Sequence, residues 1–137
     1  MRLALVAAWV LAGCAGSPAV TPEVAGAPLV GLGQEFTLAL GGEAYVDVAH
    51  FILIFDAVPE DSRCAEGTRC IWEGNARISL TVRGAVPDSR IELNTSARFA
   101  QKRDFEGYVV ELRRLEPVRS ADAQRPPYAA TLLVSPK

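Results

Sequence analysis

Few side chains in this sequence are of the kinds that make or break bonds. There is one histidine, His50, and there are three cysteines, Cys14, Cys64 and Cys70. A Ser–His–Asp arrangement needs an imidazole to take the serine proton, so it could be built only around His50. That residue opens an apolar run, His50-Phe51-Ile52-Leu53-Ile54-Phe55, where a histidine held by the fold or turned to the surface is the plainer reading. The carboxylates Glu60, Asp61 and Glu73 bracket Cys64 and Cys70. Paired carboxylates can share acid–base work, but these are interleaved with Arg63 and Arg69, as on a solvated, charge-paired surface. The same acids could face calcium, yet their spacing is unlike an EF-hand loop. Arg69, next to Cys70, could be held out by a closed loop as the specificity residue of a trypsin-type inhibitor, since preorganisation lowers the cost of binding. No assembled catalytic set and no metal-ligand cluster can be read. The residues to follow are those around the cysteine pair: Glu60, Asp61, Arg63, Arg69, Trp72, Glu73 and Asn75.

What positions these residues begins at the N-terminus. Arg2 is a short positive region, Leu3 to Leu11 is apolar, and small residues follow. This is a secretory signal layout, and the apolar stretch is too short for a permanent spanning helix, which needs about 20 residues. Leu11-Ala12-Gly13-Cys14 resembles the lipobox of bacterial lipoproteins. The resemblance implies cleavage after residue 13 and lipid on the Cys14 thiol, whose several acyl chains bind a membrane durably where one binds marginally. Ala15, rather than Asp, is similar to the residue found in Gram-negative lipoproteins sorted to the outer membrane. The expected location is therefore the cell envelope, with the domain facing the periplasm. Residues 15–33 are dominated by Gly, Ala and Pro with Glu23 as their one charge. They read as a flexible tether whose apolar end packs on the domain as an irregular strand.

With Cys14 given to lipid, Cys64 and Cys70 form an even pair in an exported domain, which implies a disulfide. The chain-entropy model assigns such a short loop roughly 2 kcal/mol, enough to fix a local shape. A redox pair would want a C-x-x-C spacing, and a thiolate metal site would need further ligands.

Composition narrows the function classes. The chain has 137 residues and a net charge of −2. Removal of residues 1–13, with Arg2, makes the charge 13 − 16 = −3. No basic cluster points to nucleic acid, and the length suits a single domain.

From Gln34 onward the pattern is alternation bounded by turns. Phe36, Leu38 and Leu40 share one face, and Gly41-Gly42 turns the chain. Ala44, Val46 and Val48 follow. Phe51, Leu53 and Phe55 alternate with Ile52 and Ile54, so this strand is apolar on both sides and central. Ile78, Leu80 and Val82 alternate with Arg77, Ser79, Thr81 and Arg83. Val86-Pro87-Asp88-Ser89 is a turn, Ile91 and Leu93 begin another strand, and Tyr108, Val110 and Leu112 define the next. Residues 95–105 read as loop or one helical turn, 117–127 as a polar loop, and 128–134 as the last strand. About seven short strands predict an all-β domain. The expected form over 34–137 is a small antiparallel β-sandwich, immunoglobulin-like or a partly open barrel, behind a signal helix (1–13) and a lipidated linker (14–33).

The run Phe55-Asp56-Ala57-Val58-Pro59-Glu60-Asp61-Ser62-Arg63-Cys64, then Cys70-Ile71-Trp72-Glu73-Gly74-Asn75-Ala76, resembles a motif of small uncharacterised bacterial lipoproteins. Their pattern is F-x-x-V-x-E-D-S-R-C-P, a short gap, C-x-W-x-G-N-A and an alternating strand. Tyr108, Leu112, Leu115 and Pro117 are similar to a later Y-x-x-x-L-x-x-L-x-P. The resemblance covers most of residues 34–134 and departs at Ala65, where the pattern has Pro. It implies no activity and no cofactor. Physically, Trp72 alternates with Cys70 and is expected to pack its ring on the disulfide. Asp61 and Arg63 are expected to brace the loop through backbone hydrogen bonds and each other. Gly74-Asn75 reads as a bulge or a site of positive φ. The functional expectation is a membrane-anchored envelope module that binds a partner or supports structure without catalysis. An inhibitor-like or ligand-binding use of the disulfide loop is the alternative.

Overall fold

In a computed structural model, residues 26–84, 87–119 and 127–137 are described. Cys14, the signal segment, most of the linker and residues 85–86 and 120–126 lie outside them. The described residues form nine strands and no helix. They are β1 (Leu29–Val30), β2 (Glu35–Ala39), β3 (Glu43–Val46), β4 (Phe51–Asp61), β5 (Ala76–Arg83), β6 (Ser89–Asn94), β7 (Lys102–Phe105), β8 (Tyr108–Glu116) and β9 (Ala129–Pro136).

The strands make two sheets. One has the order β1-β3-β4-β5-β6 and the other β2-β9-β8-β7. All pairings are antiparallel except β1 with β3, which is parallel. Four consecutive strands, β3 to β6, and three, β7 to β9, are meanders. The chain changes sheet only between β1 and β2, β2 and β3, and β6 and β7. This differs from the interleaved connectivity of an immunoglobulin domain. At one corner Gly41 N–H donates to Phe55 C=O (2.7 Å) and Phe55 N–H to Gly42 C=O (2.9 Å), tying the β2–β3 turn to β4.

The alternation read from the sequence places the core between the sheets. Phe51, Leu53 and Phe55 of β4 and Ile78, Leu80 and Val82 of β5 are almost fully buried. They face Leu38 of β2, Val110, Leu112 and Leu115 of β8, and Ala130, Leu132 and Val134 of β9. β4 is the middle strand of its sheet, as its two apolar faces predict. Burying one such side chain is worth about 1.5–3 kcal/mol. The core therefore outweighs any single loop feature, and the disulfide shapes a loop on a fold already made.

Nine strands replace the expected seven. The two-residue β1 is too short to alternate, and β7 is Lys-Arg-Asp-Phe with three exposed charges and a single apolar residue, so it shows no alternation. Two further departures arise from irregular strands. In β8 the register shifts between Leu112 and Arg114, so Leu112 and Leu115, three residues apart, both point inward. In β4 the register shifts on both sides of Ala57, and Pro59, which has no N–H to donate, falls in the irregular stretch, where a central strand can tolerate it. Val48, grouped with Ala44 and Val46 by alternation, lies beyond the end of β3 in a turn and is exposed.

Candidate functional site at the disulfide-closed end

β4 bulges before it ends, and bulges bend and twist a strand. Its last residue, Asp61, together with Arg63 just beyond, reaches across to the other sheet. Arg63 donates from Nε to Asp61 Oδ1 (2.9 Å) and from Nη2 to Asp61 Oδ2 (2.8 Å). The same guanidinium donates to the carbonyls of Leu115 (2.7 Å) and Pro117 (2.9 Å) at the end of β8. Tyr128, just before β9, donates its hydroxyl to Asp61 Oδ2 at 2.9 Å. Four N–H donors of one rigid, planar cation are thus spent on two strands of opposite sheets. The Asp61 side chain is 6% exposed and that of Arg63 14%, so this is a buried clasp rather than a surface ion pair.

Burial alone would push the Asp61 carboxyl up. The Arg63 bonds and the Tyr128 hydroxyl outweigh it and hold the carboxyl at about 2, below the usual 3.8. Because the folded value is depressed, the stabilisation is complete above pH 3.8 and is lost as the pH falls through about 2. The shift corresponds to a stabilisation on the order of 2 kcal/mol. Urea unfolding of the domain and of Asp61→Asn from pH 6 to pH 2 is expected to show the stability gap between them narrowing by about this amount. A gap that stays constant across that range would contradict the assignment.

Beyond the clasp the chain loops out and back. Cys64 and Cys70 are joined, with Cα atoms 5.9 Å apart. Thr68 N–H donates to Ala65 C=O at 3.1 Å, and the Thr68 hydroxyl donates to the same carbonyl at 2.6 Å, closing a tight turn inside the ring. The returning segment lies against the outgoing one. Ser62 N–H donates to Asn75 C=O (2.7 Å) and Cys64 N–H to Glu73 C=O (3.1 Å). Between these rungs Gly74 has φ +70°, and a Cβ there would stand 1.9 Å from the Ser62 carbonyl oxygen. Only glycine allows that approach. Arg119 adds a strap from the β8–β9 side: its Nη1 donates to Arg63 C=O, and its carbonyl accepts from Glu66 N–H.

The other flank of the loop rests on the β6–β7 connection. Asn75 Nδ2 donates to Asn94 Oδ1 (2.9 Å), and Asn75 Oδ1 accepts from Ser96 N–H (3.1 Å). All three residues are buried, so their polar groups need these partners. The Ser96 hydroxyl donates to Glu73 Oε1 at 2.6 Å.

Trp72 corrects the expectation that its ring packs on the disulfide. It is 68% exposed, with the Arg98 guanidinium 5.6 Å from the ring centroid. The physical reason is that strand alternation does not extend to it. β5 begins only at Ala76, so Cys70 and Trp72 stand on irregular chain with no shared face. Ile71 beside it is 92% exposed, and Phe99 and Val118 are also exposed. Trp72, Arg98, Phe99 and Glu60 line a shallow cavity of about 170 Å³. Val118 lines a neighbouring one of about 220 Å³ with Arg63, Cys64 and Arg119, and the two share Glu73, Gly74 and Ser96. The end of the molecule therefore exposes Ile71, Trp72, Phe99 and Val118 beside the charged residues Glu60, Glu73, Arg98 and Arg119, around a braced loop.

The residues singled out in the sequence all gather here, with different tasks. Asp61 and Arg63 form the clasp, Asn75 seats the loop, and Glu73 is an exposed residue whose carboxylate accepts one bond. Glu60, Arg69 and Trp72 face solvent. Tyr128, Asn94, Ser96, Arg98, Phe99 and Arg119 complete the site from distant segments. Of these, only Phe99, an isolated aromatic in a polar stretch, carried a local signal. His50 lies at the opposite end of β4, exposed with φ +54°, its Nδ1 3.1 Å from the Tyr45 hydroxyl. Among the described residues no group of three or more His, Cys, Asp or Glu is placed to hold a metal ion. Comparison with protein-family models, curated proteins and solved structures finds no match to this chain.

Proposed function

We propose that the chain is a lipid-anchored lipoprotein of the bacterial cell envelope, held in the outer membrane and facing the periplasm. Its β-sandwich is a non-enzymatic module that engages its surroundings through the disulfide-closed end. The observation that carries this reading is the exposure of Ile71 and Trp72 on a loop fixed by a disulfide, a buried ion pair and an asparagine seat, with Phe99 of the β6–β7 connection exposed beside them. Exposed apolar clusters mark interaction sites, and a loop already rigid loses little entropy when covered. The Leu11-Ala12-Gly13-Cys14 sequence supports the anchor.

Two measurements test the reading. A clickable fatty acid fed to a Gram-negative host is expected to label the full chain and not Cys14→Ser. Hydroxyl-radical footprinting is expected to find Trp72 protected in intact envelopes and oxidised in detergent extracts. Equal oxidation in both states would remove the contact face from the proposal.

A further inference from the structure

Among the described residues, the large exposed apolar side chains are distributed unevenly. Leu29, Leu40 and Val48 stand on an edge strand and two separate turns, whereas Ile71, Trp72, Phe99 and Val118 share the disulfide-closed end. That cluster mixes an indole, a phenyl ring and an aliphatic chain with the guanidinium of Arg98 laid on the indole. Tryptophan with a flanking arginine suits the boundary between headgroups and acyl chains, where the ring is half wet and the cation meets phosphate.

Chain length and direction allow this end to face the membrane. Pro28 C=O accepts from Tyr45 N–H, and Tyr45 pairs with Ile52 of β4. Because β1 runs parallel to β3, which is antiparallel to β4, the chain enters β1 from the side of the disulfide loop. Nine residues separate Ile52 from Asp61, a rise of about 30 Å. Fourteen residues separate Cys14 from Pro28, an extended reach of up to about 46 Å. The lipid on Cys14 can therefore lie in the plane of Trp72, with about 15 Å to spare for the height of the loop. A tether of that length keeps the surface close to one leaflet, where even weak interfacial contacts are occupied.

We infer that the disulfide-closed end docks on the leaflet that holds the Cys14 lipid, with Ile71, Trp72 and Phe99 at the headgroup–acyl boundary and Arg98 at the phosphates. This rests on the lipid-anchor reading above. The partner is the bilayer itself, and the domain lies against it rather than standing away on its linker.

Cleavage after residue 13 removes Trp9 and leaves Trp72 as the one tryptophan of the mature chain, so intrinsic emission reports on this surface. The test uses the full chain matured in a bacterial host, purified from membranes and placed in vesicles of phosphatidylethanolamine and phosphatidylglycerol with brominated acyl chains. Trp72 emission is expected to shift to the blue and to be quenched several-fold more than in an Ile71→Glu/Phe99→Glu variant. Both substituted positions are exposed, so the variant keeps its melting temperature. Mass analysis of the N-terminal peptide separates the two levels of the argument. A chain without lipid removes the anchor and this inference together. A lipidated chain whose Trp72 keeps aqueous emission, escapes bromine or is indifferent to the double substitution overturns the docking alone. An emission shift that follows protein concentration rather than brominated lipid assigns the surface to a second copy and overturns it as well.

Discussion

Replacing Arg63 with alanine is expected to destabilise the domain by about 3–5 kcal/mol, the cost of breaking a buried ion pair by removing one of its members. A domain of this size is stable by about 5–15 kcal/mol in all, so the substitution brings it close to unfolding. The reason is geometric. Asp61 is 6% exposed and has lost the water that would otherwise solvate it, while the Leu115 and Pro117 carbonyls lose their donor in the same step. Lysine is expected to rescue little, because a point charge cannot serve the carboxylate and two carbonyls in one plane. The paired change Asp61→Leu with Arg63→Leu is expected to cost less than Arg63→Ala alone, since it removes the charge left behind. Urea titration of the four proteins decides the matter. If the double variant is the least stable, the clasp is not an ion pair whose halves depend on each other.

Gly74→Ala is expected to be comparably severe, at about 3 kcal/mol, from a different cause. A left-handed residue with a side chain costs roughly 1–2 kcal/mol by itself. Here the added methyl group would also stand 1.9 Å from the Ser62 carbonyl oxygen. The outgoing and returning arms of the loop must separate, and the Ser62–Asn75 and Cys64–Glu73 backbone bonds on either side are stretched. Gly67, also at positive φ but with open space around its missing Cβ, is the internal control. Gly67→Ala is expected to cost only the conformational part. Thermal melts of the two variants should differ, with Gly74→Ala melting lower. Equal melting temperatures would show that the close approach at Ser62 relaxes freely.

The sheets were legible in the sequence wherever one face is buried and the period is regular. Ile78, Leu80 and Val82 show this best: each is buried as the two-residue period requires. Legibility ends where the period breaks. The bulge after Leu112 places Leu115 in the core against the alternation, and β7 is held by its register to β8 and by a single apolar residue, Phe105, edge-on against Phe51. At the site, Asp61 and Arg63 were readable as bracing because they are two residues apart. Tyr128, 67 residues from Asp61, and the Asn94 and Ser96 seat could not be, because only the folded sheet order brings them near. Trp72 was misplaced for a related reason. A spacing of two means one face only on a strand, and nothing in the local sequence says that β5 starts as late as Ala76.

The parallel strand β1 has a mechanical meaning. A force applied to the chain ahead of it meets first the Tyr45–Pro28 and Asp47–Val30 hydrogen bonds, at 2.9 and 3.3 Å, and next the Gly33–Val134 bond. Only after these does it reach the five-residue pairing of β2 with β9. Peeling β1 away would release residues 28–33, about 20 Å of extended chain, and lift Val30 and Leu32 off the core, while the β2–β9 pairing stays in place. Under tension, the N-terminal strand would act as a short reserve of slack that yields before the domain does.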